Sequence, residues 1–183
     1  MSLSTLFWKL FLRSKGWHIE QNFPHHLPQA VILVAPHTSG WDFVYGLAAR
    51  GVLNLDRVHF LGKKELFDGP FGWWFRWLGG TPVDRFSKQG MVEQVVDLLK
   101  ANPNWMIALS PEGTRKKVEK LRTGFYHIAR QANIPVVFAA LDYGKKRVYF
   151  SEPRWMSENM NEELQNIINS FSSVKGKFPE RGL

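Results

Sequence analysis

The sequence predicts one α/β domain, a sandwich in which helices cover both faces of a largely parallel central sheet. Short unbroken apolar runs alternate with stretches of helical periodicity, the rhythm of strand–helix units. Polar clusters follow the first and third runs directly, where open α/β sheets collect their chemistry. A length of 183 residues, 44% hydrophobic and 22% charged, suits a single folded unit and not a disordered chain.

The first run, Val31–Ala35 (VILVA), is stopped by Pro36 and reads as a buried strand. Residues 58–61 give a shorter second strand, 105–109 (WMIAL) a third and 135–141 (PVVFAAL) a fourth. Arg147–Phe150 reads as an edge strand after a turn at 143–146. Helical patterns fill Trp41–Val52, 71–78, Met91–Ala101 and 124–133. Met160, Leu164, Ile167, Ile168 and Phe171 then recur at helical spacing, the apolar face of a closing helix. Residues 174–183 read as a frayed tail. The segment 79–85 reads as a joint between two helices.

Residues 1–30 form an expected N-terminal amphipathic membrane-interface segment and connector, with the domain proper at 31–183. On a helix, Leu3, Leu6, Phe7 and Leu10 share one side, Trp8 and Phe11 widen the apolar arc, and Lys9 and Arg13 stand elsewhere. A second candidate patch lies in 71–78. There Trp73 and Trp77 share one helical face, Trp74 and Leu78 another, so one face can pack inward while the other meets a lipid interface.

Composition removes several classes. There is no cysteine, which excludes disulfide frameworks, thiolate nucleophiles and zinc–thiolate sites and is compatible with a reducing compartment. The six histidines include no H-E-x-x-H pattern, so no metal is expected, and His25-His26 reads as surface loop. No apolar run approaches the roughly 18–20 residues of a membrane span, and the N-terminus lacks the features of a signal peptide. A net charge of +8 favours a polyanionic partner: nucleic acid, a phosphorylated metabolite or an anionic membrane surface.

Three segments carry chemistry. His37 and Asp42 would stand about 140° apart on a regular helix, so they meet only if residues 38–40 turn and a helix begins near Trp41. The carboxylate would then fix the imidazole tautomer and stabilise its protonated form. Ser39-x-x-Asp42 equally fits a capping box, and the two readings can coexist. Glu112-Gly113-Thr114-Arg115 opens a basic stretch in which arginine offers a fork for phosphate and glycine lets backbone amides approach an anion; the alternative is a solvated turn. Asp84-Arg85 and Lys63-Lys64 carry the same ambiguity.

In order and spacing, HTSGWD (37–42), GTPVDR (80–85), PEGTR (111–115) and IPVVFAAL (134–141) together resemble the glycerolipid acyltransferase family typified by 1-acylglycerol-3-phosphate acyltransferase. GKKEL (62–66) and LRTG (121–124) also fall where that family places its lysine and basic-glycine elements. The chain departs from the pattern at Pro36, often Asn in the family, and at Ser110, usually hydrophobic. The resemblance implies transfer of an acyl chain from a thioester, acyl-CoA or an acyl-acyl-carrier protein, to a hydroxyl of a lysophosphatidic-acid-like lyso-lipid in phospholipid biosynthesis. His37 would be the general base and Asp42 its partner. Lys63, Arg85, Glu112, Gly113, Thr114 and Arg115 would form the substrate phosphate site, with Leu6, Phe7, Leu10, Trp73 and Trp77 at the membrane interface. No cofactor beyond the acyl donor is implied, and the expected location is peripheral, on the cytoplasmic face of a membrane.

The sequence leaves two other classes open. A Ser–His–Asp esterase or thioesterase would use Ser39 or Ser110, although neither lies in G-x-S-x-G. A basic non-enzymatic module would bind nucleic acid or membrane. The lack of an RNP1 or helix-turn-helix signature speaks against nucleic acid, which is not an expected partner.

Overall fold

Alternate side chains of a strand leave the sheet on opposite faces, and both faces are covered here, which is why the strands appear in the sequence as unbroken apolar runs. The computed structural model describes residues 2–20, 22–84, 87 and 89–182. In chain order the elements are α1 (Leu3–Ser14), β1 (His18–Ile19), β2 (Val31–Ala35), α2 (Trp41–Val52), β3 (Val58–Lys63), α3 (Lys64–Asp68), α4 (Gly72–Trp77) and β4 (Gly80–Val83). There follow α5 (Met91–Ala101), β5 (Met106–Leu109), α6 (Gly124–Ala132), β6 (Val136–Asp142), β7 (Arg147–Phe150), α7 (Met160–Phe171) and a 3₁₀ turn at Pro179–Arg181. The described strands form one sheet in the order β1-β7-β6-β2-β5-β3-β4, parallel except for the β6–β7 pair. The expected architecture therefore holds.

Val31, Leu33 and Ala35 of β2, with Ile107, Val136 and Phe138, face a core closed by α5, α6 and α7 through Val95, Leu99, Phe125, Ile128 and Ile167. Ile32, Met106, Val137 and Ala139 face the opposite core, closed by α2 and α1 through Tyr45, Ala48, Ala49 and Leu12. Fully burying a side chain the size of Phe125 or Leu99 contributes about 1.5–3 kcal/mol, so burial on these two faces holds the sheet between its helices.

Four expectations need correction. β7 is not an edge, because β1 pairs outside it with His18 opposite Arg147 and Ile19 opposite Val148. The joint at 79–85 contains the edge strand β4, which tolerates Pro82 because its outer side needs no ladder donor. A Cβ at Gly80 would lie 2.7 Å from the Phe75 carbonyl oxygen, so only glycine fits that close approach. In α1, Trp8 and Phe11 point inward: Trp8 Cδ1 occupies the space a Cβ on Gly51 would take, at 2.1 Å, and Phe11 packs near Tyr45.

The fourth correction concerns residues 174–182. They form a strap across the loop after β2, with Val174 buried in the core. Phe178 N–H donates to Thr38 Oγ1 at 3.2 Å, and Tyr143 N–H donates to the Lys175 carbonyl at 2.8 Å. A Cβ at Gly176 would lie 2.8 Å from the Thr38 side chain. The strap's anchors are backbone bonds to residues far away in sequence, which leave no periodicity to read.

Candidate active site

The parallel strands all present their carboxyl ends on one edge, and the sheet order sets which loops become neighbours there. β6, β2, β5 and β3 lie side by side, so the segments following Asp142, Ala35, Leu109 and Lys63 converge. Neighbouring strands lie about 4.8 Å apart, so the loop after β5 flanks the one after β2, and Lys63 starts two spacings away, about 10 Å.

After β2 the chain turns through residues 36–40 and enters α2. Nδ1 of His37 lies 3.1 Å from Asp42 Oδ2, and the same oxygen accepts the Thr38 and Ser39 amides, each at 2.8 Å. One carboxylate therefore ties the turn and holds the imidazole, so the cap and the dyad coexist. Donation through Nδ1–H leaves Nε2 as the acceptor nitrogen. Asp42 is 2% exposed. Burial alone would raise its pKa, but the hydrogen bonds from His37, Tyr143 and Ser39 outweigh it and hold the carboxyl below its ordinary value.

Glu112, 1% exposed, accepts the His37 backbone N–H on Oε2 at 2.7 Å. Burial pushes its carboxyl above the ordinary range despite that bond. Its carboxyl oxygen thus fixes the backbone of His37. Gly113 follows with φ +68°, a conformation that favours glycine, and its would-be Cβ lies 3.0 Å from Arg122 Cγ. A Cβ on Gly40 would lie 3.2 Å from an Arg115 guanidinium nitrogen, which places Arg115 over the His37–Asp42 turn. The two arginine-bearing motifs, PEGTR and LRTG, are linked by Arg122 N–H donating to the Pro111 carbonyl at 2.7 Å. Thr114 lies in the same turn, half-buried, and Lys63 is exposed at the end of β3. Arg85 lies outside the described residues.

Ser39 Oγ accepts Trp41 N–H at 3.2 Å and Ser110 Oγ accepts Glu112 N–H at 3.2 Å. Both hydroxyls thus accept from amides of their own turns. Sequence reasoning missed Tyr143, whose hydroxyl donates to Asp42 Oδ1 at 2.6 Å. Its signal was only its place, two residues beyond the fourth apolar run.

The dyad opens onto a cavity of about 260 Å³ between α2 and the sheet, lined by His37, Asp42 and an otherwise mostly apolar wall. The sheet contributes Ile32, Val34, Ala108 and Ala139, and α2 contributes Phe43 and Gly46. Small residues on both layers leave this space: a Cβ at Gly46 would meet nothing within 4 Å. Among the described residues no group of three His, Asp or Glu side chains is placed to hold a metal ion. No helix among them is long and apolar enough to cross a membrane.

Fold and site define an α/β protein with a His–Asp pair at the carboxyl ends of parallel strands, facing an apolar cavity on one side and arginine on the other. The sequence model of the family described as Acyltransferase matches residues 17–141, and the chain belongs to that family. It is 31% identical over 130 residues to the 1-acyl-sn-glycerol-3-phosphate acyltransferase of Streptococcus pneumoniae (strain ATCC BAA-255 / R6), covering 66% of this chain and 47% of that protein. The chain thus spans about half the length of that curated relative. The crystal structure of the 1-acyl-sn-glycerophosphate (LPA) acyltransferase PlsC from Thermotoga maritima shares the fold, with TM-score 0.60 and 20% identity over 95% of this chain and 80% of that one.

Proposed function

We propose that the protein transfers an acyl chain from a thioester, acyl-CoA or acyl-acyl-carrier protein, to a hydroxyl of a lysophosphatidic-acid-like acceptor. The observation that carries this reading is the placement of His37 and Asp42 at the mouth of a largely apolar cavity. His37 Nε2 takes the proton of the acceptor hydroxyl while Asp42 stabilises the imidazolium. The oxygen attacks the thioester carbonyl, the C–S bond breaks, and the imidazolium returns the proton to the leaving thiolate. The acceptor is itself the nucleophile, so no acyl-enzyme is required. An apolar chain fits the cavity, and the acceptor phosphate is assigned to Arg115, with Lys63 and Arg85 as further candidates. Incubation with labelled acyl thioesters of graded length and a lyso-lipid extract tests the reading. Acylated lyso-lipid supports it; thioester hydrolysis with no acylated lipid replaces it with a thioesterase.

Arg115→Ala leaves the acid–base pair in place and removes a bidentate phosphate contact. The acceptor KM is expected to rise about tenfold or more, with Lys at this position restoring only part, because a point charge lacks the fork. Steady-state kinetics against acceptor concentration check this, and wild-type values would move the phosphate site elsewhere.

The lipid substrate is met at a membrane surface, in our reading on its cytoplasmic face, through the exposed side of α1. Leu3, Leu6, Phe7 and Leu10 are exposed while Thr5 and Leu12 of the same helix are buried against the domain. Trp73 and Trp77, 68% and 73% exposed, supply a second apolar patch suited to the headgroup region. The double variant Phe7→Asp/Leu10→Asp should weaken flotation with anionic liposomes at least about tenfold while retaining activity on a short-chain, detergent-dispersed acceptor. Undiminished flotation would remove α1 from the interface.

A further inference from the structure

We infer that Tyr143 is a positioning residue of the His37–Asp42 pair: its hydroxyl, 2.6 Å from Asp42 Oδ1, locks the carboxylate with Oδ2 facing the imidazole. The role in turnover rests on the acyl-transfer reading above; the coupling between the three side chains does not. A carboxylate rotates broadly about its Cβ–Cγ bond, so holding one oxygen on the imidazole depends on how both are bonded. Oδ2 takes His37 and two amides, and Oδ1 takes Tyr143.

Tyr143 is built to hold still. Its N–H is bonded to the Lys175 carbonyl of the C-terminal strap, and its ring meets Trp17 edge-on at 4.8 Å and Tyr45 at 5.7 Å. Trp17 in turn stacks on Tyr45 at 3.9 Å. The strap also reaches the other side of the carboxylate, where Phe178 N–H bonds the hydroxyl of Thr38, whose own amide donates to Asp42. Burial and the adjacent Asp42 charge push the phenol well above its ordinary value, so it stays protonated and can only act toward Asp42 as a donor. Tyr143 is not among the residues lining the cavity, which separates positioning from contact with the reacting atoms.

Tyr143→Phe keeps the ring and removes the hydroxyl. The titratable and charged groups around the Asp42 carboxylate are His37 from its own turn, Tyr143 after β6 with Tyr45 of α2 beside it, and Glu112 after β5. Among the described residues, Arg115 lies over Gly40 and Lys177 over the Trp41 ring. The variant leaves all of these except the phenol. Carbon-13 NMR of aspartate-labelled protein, with Asp42→Asn assigning the resonance, should show the Asp42 titration midpoint moved up by about half a pH unit or more. Replacement of Tyr143 by 3-fluorotyrosine, a stronger donor on the same ring, should move it down. In kinetics Tyr143→Phe should lower kcat about tenfold at unchanged acceptor KM, with the acid limb of the pH profile shifted upward. An unmoved Asp42 titration, or a lowered Tm with unchanged kcat and pH profile, would reduce Tyr143 to packing and overturn the proposal. A wild-type protein inert toward every thioester would instead overturn the transferase reading, and the NMR comparison would still decide the coupling.

Discussion

His37→Ala is expected to lower kcat for acyl transfer by on the order of 10²–10⁴-fold, the range a positioned general base supplies. The acceptor KM should change little, because the phosphate is assigned to Arg115, with Lys63 and Arg85 as further candidates, and the imidazole is not one of these groups. Folding should survive. The backbone at this position is held by Glu112 through the His37 N–H, and Asp42 keeps its two amide donors and the Tyr143 hydroxyl. Purified variant with wild-type Tm and near-zero turnover on a labelled acyl donor is the expected pair of results. Near-wild-type turnover would end the general-base assignment; a collapsed Tm would show that the ring is needed for the turn itself.

The meeting of His37 with Asp42, and the placement of the PEGTR turn beside them, are legible in the sequence for a physical reason. Strand–loop–helix units place consecutive residues of HTSGWD and PEGTR at the same sheet edge, so ordered motifs and continuous apolar runs carry the location of the candidate site. What stayed hidden depends on contacts between distant residues. Tyr143 reaches Asp42 because β6 lies beside β2, a pairing of Val31 with Val136 that apolar runs do not specify. Glu112, expected at the phosphate, is turned to the His37 amide by the adjacency of β5 and β2. The strap over Thr38 and the cavity at Gly46 were equally invisible: one rests on backbone hydrogen bonds, the other on volume left between layers. β1 and β4 are too short and too rich in Gly, Pro or His to stand out as strands.

Asp42 caps the turn and, in the proposed reaction, supports His37; two substitutions separate these roles. In Asp42→Asn one amide oxygen can still accept Thr38 and Ser39 N–H and the imidazole Nδ1–H, while the amino group faces Tyr143 Oη, which accepts in turn. The turn is retained and the negative charge that would stabilise the imidazolium is lost, so kcat should fall by about 10²-fold or more with only a modest loss of Tm. Asp42→Ala leaves two buried amides and the Tyr143 hydroxyl without their acceptor, at about 1–3 kcal/mol for each donor left unpaired, so its Tm should fall clearly further. Acid titration adds an independent signature. The native carboxyl lies below its ordinary value of 3.8, burial being outweighed by its hydrogen bonds, so its ionised form stabilises the fold above that pH. That contribution is lost as pH falls through the native value, and the Asn variant, with nothing to protonate, should show a flatter stability curve across this acid window. Thermal melts of wild type and both variants at neutral and acid pH, together with kcat at neutral pH, check all of this. An Asn variant with near-wild-type kcat would leave the carboxylate as a loop cap alone and reduce the dyad to geometry.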